Sequence, residues 1–341
     1  MRFFEEKFKK FTKEQWNAIV DEMTGSSTLF LWQNINFYSA FKNIDNISFV
    51  ISEDGKPVSV VALAINKNSL SNFFGFGNGI IPVPLFKKNI NNSHRKKIFN
   101  HIMLTLSDVA KKKKINKIYF QASPIYFKNK ISEISSQNQF ELISLTSKFL
   151  VHNTLIHELK KKTDDELFNE CSKYQRKNIK LVQKKNVKFR VINHLEDKTT
   201  IDKEFKNLQK LHFLSSKRIT RPQKTWDIMK QQIFDNESDL FCLEYEGIPA
   251  SYLHCGRYCN FAWGWTQVNN EDYEKHLMPR HLLEWKTLLY YKKKKIHFYE
   301  IGERYFSQKN YKPSKKLLNI SNFKEKYGAN KYPKVTFELL L

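Results

Sequence analysis

The residues best suited to chemistry lie near the C-terminus. Phe298-Tyr299-Glu300-Ile301-Gly302-Glu303 reads as a strand that ends on an acid and a glycine. A polar loop then leads to Phe323-Lys324-Glu325-Lys326-Tyr327-Gly328. A lysine such as Lys324 can stabilise developing negative charge or merely solvate a surface, and its neighbours alone leave both readings open. Glu300, Tyr258 and Tyr273 can hold or pass a proton, although each taken singly reads first as core packing. Familiar nucleophile signals are missing: there is no Gly-x-Ser-x-Gly, no Walker sequence and no His-Glu-x-x-His. His254, Cys255 and Cys259 resemble metal ligands, but their spacing puts them on neighbouring strands and no second Cys/His pair follows. No metal site is expected from them. His94, His101, His276, His281 and His297 are scattered and read as ordinary residues.

Alternating and helical periodicities show what must position these groups. Leu240–Tyr245 reads as a strand, Glu246-Gly247-Ile248-Pro249 as a turn, and Ala250–Gly256 as the returning strand. An aromatic strand over Tyr258–Val268, a helix over Lys275–Lys293 and a strand over Ile296–Ile301 follow. The first half carries a fainter version. Phe49–Ser52, the turn Asp54-Gly55-Lys56-Pro57 and Val58–Ile65 match the hairpin, while the helix Ser93–Lys113 and the strand Lys117–Gln121 match the ending. Two matches in the same order point to one module used twice.

At 341 residues the chain can bury two ordinary cores, and 41% hydrophobic content with 28 Phe and 15 Tyr is globular in kind. No run reaches the roughly 18 apolar residues of a membrane helix, and the start lacks a signal-like apolar stretch, so a cytoplasmic location is expected. Four cysteines in such a length read as reduced thiols. The net charge of +24, from 58 basic against 34 acidic residues, favours a partner carrying phosphate or an anionic lipid head. Arginine, the usual reader of base edges, is scarce.

Three further stretches carry signals. Phe3, Phe4, Phe8 and Phe11 interleave with Lys7, Lys9, Lys10 and Lys13, as in a helix lying on a membrane or covering its own domain. Gly75-Phe76-Gly77-Asn78-Gly79 lacks a following helix, so it reads as a strand end where backbone approaches something closely, a ligand included. Thr163 and Glu166 form a capping box for a helix over Asp164–Lys185, with Arg176 and Lys177 on a strongly basic face. That face is either solvated or a grip on phosphates.

Taken in order, these features resemble a known family. The set comprises the basic helix with Tyr174, Arg176, Lys177 and Ile179; Val187 opening a strand; and Leu211-His212-Phe213 with Arg218. It continues with the Gly247 hairpin, the aromatic strand holding Trp263-Gly264 and Trp265, and Leu282-Leu283-Glu284-Trp285. The acid-x-Gly strand end and Phe-Lys-x-x-Tyr-Gly close it. From Asp165 to Tyr332 the chain resembles the Fem-type (FemAB/FemX-like) peptidoglycan-bridge aminoacyltransferases and related double GNAT-fold acyltransferases; the first half joins only through its repeat.

The resemblance implies an α/β fold of two tandem GNAT-like domains, 1–160 and 161–341, each a mixed, mostly antiparallel sheet flanked by helices. It implies acyl transfer to a primary amine in a shared cleft, with Lys324 beside Phe323 stabilising charge on the reacting carbonyl. Glu300 and Tyr258 stand as further catalytic candidates. Tyr174, Arg176, Lys177, Trp263, Trp265, Tyr273 and Arg218 stand as substrate-binding candidates, and no metal is called for. The donor is acyl-CoA or aminoacyl-tRNA, and the acceptor a phosphate-bearing cell-envelope precursor such as a nucleotide- or lipid-linked amino sugar or muropeptide. Contacts with tRNA and with the inner, anionic membrane face are further expectations, and no stable protein partner is expected. Glu300 replaces a frequent aspartate and Glu303 a small residue. The helical RNA-holding arm is missing, and so is the Gln/Arg-x-x-Gly-x-Gly loop, where His276-Leu277-Met278-Pro279-Arg280 stands. Rival readings are an RNA-binding module and a non-catalytic GNAT-like scaffold.

Overall fold

The same turn chemistry begins both halves. Asp54-Gly55 joins the strands Phe49–Glu53 and Lys56–Val61, and Glu246-Gly247 joins Ser238–Tyr245 and Ile248–Tyr258. All four turn residues have positive φ, at 49°, 72°, 52° and 78°. That is the geometry whose twist matches a two-residue hairpin, and glycine takes the second place at no steric cost.

The computed structural model describes residues 3–24, 27–67, 72–127, 130–132, 146, 148–309 and 311–341. They belong to two units, Met1–Val151 with Pro333–Leu341, and His152–Tyr332. The final stretch, which the sequence groups with the second domain, thus belongs to the first unit. Its residues Val335–Leu340 pair antiparallel with Ile115–Ala122.

In the first unit, one antiparallel sheet runs Phe3–Lys7, Phe49–Glu53, Lys56–Val61, Leu85–Lys87 and Met23–Thr24. A second group sets Ile115–Ala122 parallel to Asn72–Phe74, which is followed by Ala64–Lys67 and Ile44–Asn46. In the second unit the order is Val187–Ile192, Ser238–Tyr245, Ile248–Tyr258, Phe261–Asn269, Phe298–Arg304 and then Asn153–Glu158. Parallel pairing interrupts the antiparallel order in both units: Ile115–Ala122 runs parallel to Asn72–Phe74 and to Ile81–Pro82 in the first, and Phe261–Asn269 parallel to Phe298–Arg304 in the second. Parallel neighbours need a crossover, and a helix supplies it each time: Asn92–Lys113 in the first unit and Arg280–Lys293 in the second. The repeated module of the sequence is this hairpin, strand, helix and strand.

Four local expectations change. The N-terminal aromatic segment is the strand Phe3–Lys7 and a short 3-10 turn, not an amphipathic helix, because Phe3–Lys7 pairs with Phe49–Glu53. The basic helix is two helices, Asp164–Glu170 and Lys173–Gln183. It breaks because Ser172 caps the second, its Oγ accepting from the Gln175 amide, while its own amide donates to the Lys326 carbonyl. Val58–Ile65 divides into Lys56–Val61 and Ala64–Lys67, which enter different sheets. The helix read over Lys275–Lys293 starts at Arg280, since Met278 has φ of 51° and Pro279 is the N-cap. The glycine loop approaches the protein's own rings: a β-carbon at Gly77 would overlap Phe41, and one at Gly75 would crowd Phe73.

The second core is built from Leu155, Ile179, Phe241, Leu253, Leu283 and Tyr299 with their buried neighbours. Gly328, at φ +82°, closes it where a β-carbon would overlap the Glu170 carbonyl, whereas Gly247, at φ +78°, faces open space. Gly247→Ala should therefore cost only the conformational penalty of about 1–2 kcal/mol, and Gly328→Ala clearly more. Urea unfolding of the two variants checks this; equal losses would show that the Glu170 contact does not constrain the fold.

Candidate functional site

Two sequence signals meet in one place. Gly302 ends the Glu300-Ile301-Gly302 strand segment at φ +134°, and the space its β-carbon would fill is taken by the Lys324 ammonium. Lys324 comes from the last turn of the helix Lys315–Glu325. The turn after that helix is pinned on both sides. Tyr327 is fully buried and its hydroxyl donates 3.1 Å to the His281 carbonyl, while Gly328 packs on the Glu170 carbonyl. Arg304 Nε meets Glu325 Oε2 at 2.5 Å and ties the helix to the strand. The residues of Phe-Lys-x-x-Tyr-Gly thus hold a lysine against a glycine.

Lys324 is half-buried and makes no hydrogen bond or ion pair among the described residues. Its charge reaches Glu284, on the Arg280–Lys293 helix and 3% exposed. Tyr299 Oη donates 2.5 Å to Glu284 Oε1, and Cys255 Sγ lies 3.9 Å from the same hydroxyl. Gly264 leaves room for that hydroxyl, since a β-carbon there would sit 3.3 Å from it. Burial raises the Glu284 carboxyl to about 7, against the opposing pulls of the Tyr299 hydroxyl and the Lys324 charge. The same burial pushes the Tyr299 phenol well above its usual range.

Phe323 sits between two rings and a cation. Its ring lies 5.2 Å from His281, 5.6 Å from Tyr327 and 4.4 Å from the Arg280 guanidinium carbon. His281 lies 5.9 Å from Tyr174, whose exposed ring also carries the Lys326 ammonium at 4.7 Å. Burial, then Arg280 and Lys326, lower His281 to about 4, so it is neutral at physiological pH. A cavity of about 410 Å³ opens beside Phe323, lined by Arg280, Lys315, Lys316, Asn319 and Ile320. Three cations thus border an apolar wall, a place of positive potential.

The remaining candidates distribute as follows. Glu300 Oε1 accepts a 2.6 Å hydrogen bond from the buried Thr154 hydroxyl, and Glu300 stands beside Trp263 in the parallel register. Trp263 covers Gly256 and lies 5.9 Å from Trp265. Arg176 holds its own chain: its Nη1 donates 2.8 Å to the Asn169 carbonyl and 2.6 Å to the Cys171 carbonyl, closing the end of the Asp164–Glu170 helix. Lys177 is exposed on the next helix, and Arg218 is exposed just past the Lys198–Ser216 helix. Tyr273 packs against Tyr245 and His276. Tyr258 pairs with Phe261, which pairs with Phe298, so it lies two strands across and four residues along from Gly302, about 13 Å along the strand at 3.3 Å per residue and about 10 Å across. The structure brings Tyr174, Phe323 and Lys324 into one region and leaves Tyr258 and Arg218 outside it. Sequence reasoning gave no role to Glu284, Tyr299, Arg280, Lys315 or Lys316. The one usable signal was an acid inside the apolar run Leu282-Leu283-Glu284-Trp285, since a charge there demands a partner.

No protein-family model matches the chain, and neither does any curated protein sequence. Solved structures do match. FemX is 14% identical with a TM-score of 0.67, over 99% of this chain and 98% of FemX. A tandem GNAT protein from the clavulanic acid biosynthesis pathway is 10% identical with a TM-score of 0.58, covering 99% and 98%. L-PGS from Bacillus licheniformis is 13% identical with a TM-score of 0.59, covering 96% and 91%. These likenesses show the fold, tandem GNAT-like units, as the ordered motifs implied. Among the described residues no helix is long and apolar enough to cross a membrane, and no group of three acidic, His or Cys side chains could hold a metal ion.

Glu284 gives a pH signature. Its folded value of about 7 exceeds its ordinary 4.5. The folded chain therefore holds the proton more tightly, and the stability penalty is absent well below pH 4.5, grows towards pH 7 and is level above it. Between pH 5 and pH 8 the natural protein should lose about 2–3 kcal/mol from this group. Glu284→Gln should lack that loss when unfolding is followed across the range; parallel curves for both proteins would place the charge elsewhere.

Proposed function

We propose that the chain is an N-acyltransferase that moves an acyl or aminoacyl group from an activated carrier to an amine. The observation that carries this reading is the unpaired Lys324 ammonium lodged against Gly302. When an uncharged amine attacks a thioester or ester carbonyl, a C–N bond forms and the carbonyl oxygen takes up negative charge. A fixed cation beside that oxygen stabilises the tetrahedral species, by about 3 kcal/mol for one well-aimed donor. The C–S or C–O bond then breaks, and the departing carrier takes up a proton equivalent to the one lost by the amine. No protein nucleophile is needed, in keeping with a chain that has no nucleophile motif.

Arg280, Lys315 and Lys316 would meet the phosphates of the carrier, with Phe323 packing on its apolar part. Tyr174 extends this surface. Glu284, held by Tyr299, acts through its field: a partly neutral carboxyl within electrostatic reach leaves most of the Lys324 charge uncancelled. The acceptor would be an amine of a cell-envelope precursor, a nucleotide- or lipid-linked amino sugar or a muropeptide, and the reaction cytoplasmic, at the inner membrane face when the acceptor is lipid-linked. FemX and L-PGS, both of similar fold, support trying such acceptors first. The likeness to a tandem GNAT protein supports testing acyl-CoA as donor first, ahead of aminoacyl-tRNA.

Lys324→Ala should lower kcat by about 10²–10³-fold with little change in donor KM, because the lost interaction belongs to the transition state. An unchanged kcat would remove the lysine from the mechanism. Lys315→Ala with Lys316→Ala should do the reverse, raising donor KM several-fold and flattening its salt dependence with kcat nearly intact. Steep salt-dependent RNA binding with no transfer to any amine would favour an RNA-binding module instead.

A further inference from the structure

A second cavity, of about 820 Å³, lies wholly within the first unit, between the N-terminal segment, the Trp32–Ser39 helix and the Asn92–Lys113 helix. This volume is within the range of about 300–1,000 Å³ that ligand pockets occupy. Phe8, Trp32, Phe49, Leu63, Ile65 and Val109 form its walls, and Phe8 stacks on one face of Trp32 at 4.0 Å. Polar side chains also reach the lining, but their hydrogen bonds are directed to the protein. Ser48 Oγ donates to Asn46 Oδ1 and accepts from the Leu63 amide; Thr105 Oγ1 donates to Glu5; Asn36 Nδ2 donates to the Trp32 carbonyl. The interior therefore offers mainly apolar contact.

The rim has the opposite character. Lys7, Lys9 and Lys113 stand there, and their ammonium groups make no ion pair among the described residues. The rim carboxylate, Glu5, is engaged by Thr105 and by His101 Nε2 at 3.5 Å. An apolar interior beneath three uncommitted cations suits a molecule with a hydrocarbon tail and an anionic head. A nucleotide fits less well, because a base would need hydrogen bonds that the walls have already turned inward, and Phe8 covers one stacking face.

We propose that this cavity binds an anionic single-chain amphiphile, tail against Trp32 and Val109, carboxylate or phosphate head among Lys7, Lys9 and Lys113. The site is separate from Lys324 and goes beyond the transferase reading; it stands whether or not that reading does.

Calorimetric titration of the full chain with dodecyl phosphate, dodecanoate, dodecanol and AMP, all below micellar concentrations, tests it. Both anionic amphiphiles should bind saturably at one site, and dodecanol about tenfold more weakly. Lys9→Glu combined with Lys113→Glu should weaken dodecyl phosphate about tenfold, since each exposed charge is worth only a few-fold, and leave dodecanol nearly unchanged. Val109→Trp, which fills the cavity from the helix, should abolish binding of both; if that variant does not fold, Trp32→Ala, which removes the apolar wall, should weaken both at least tenfold instead. Non-saturable binding, AMP binding as tightly as dodecyl phosphate, or full binding by a folded filled variant would overturn the proposal. So would binding to phosphatidylglycerol vesicles with none to the monomeric amphiphiles, which would make the lysines a membrane-contact surface.

Discussion

A missing β-carbon governs the second unit. Gly302 has no side chain and sits at φ +134°, and the Lys324 ammonium occupies the room this leaves. Any larger residue would displace the lysine and strain the strand end together. The rest of the local architecture keeps the two partners in place. Tyr327 and Gly328 fix the turn after the helix, Arg304 and Glu325 join helix to strand, and Ser172 breaks the basic helix where its amide reaches Lys326. Residues spread over about 160 positions of sequence thus serve one close approach, from Ser172 to Gly328.

Why that lysine is left without a carboxylate is a question of energetics. Elsewhere in the unit a half-buried cation is paired: Arg257 Nε meets the buried Asp239 Oδ2 at 2.7 Å, and Tyr291 adds a 3.0 Å hydrogen bond to the same carboxylate. Such pairs offset the cost of desolvation, and removing one partner leaves an expensive orphan. Lys324 instead has Glu284 within electrostatic reach but not in contact, and burial keeps that carboxyl partly protonated. A charge already neutralised by contact could do little for a developing oxyanion. A charge desolvated on one side and unpaired can do more, because its field is less screened.

The elements that followed local rules were legible in the sequence. Asp54-Gly55 and Glu246-Gly247 announced their hairpins, and Thr163 with Glu166 announced a capping box that the structure contains. Helical periodicity located Asn92–Lys113 within a residue of its start. What stayed hidden depended on distant contacts. The break at Ser172 is stabilised by a carbonyl at Lys326, far along the chain. Arg176 looked like a phosphate ligand because its charge was visible, while the carbonyls it closes upon were not. Glu284 looked like one acid among apolar neighbours, and only Tyr299 across the packed layer explains it. Gly302 and Lys324 were each noticed, yet no periodicity states that a lysine fills the place of a β-carbon.

The net charge of +24 takes on meaning when it is divided by environment. Charges such as Lys177 and Arg218 stand in open solvent, where salt screens them beyond roughly 8–10 Å. They raise the general attraction for polyanions without choosing among them. Arg280, Lys315 and Lys316 differ, because they border Phe323 and Ile320 in a concave site; Lys7, Lys9 and Lys113 differ likewise, above Phe8, Trp32 and Leu63. A low-dielectric wall strengthens a neighbouring charge and adds the burial energy of whatever apolar group comes with the anion. Both places therefore set positive charge beside apolar surface, the pairing on which the two proposed ligands rest. Selectivity arises from the pairing of charge with apolar surface, while the total number of lysines sets only how readily such ligands arrive.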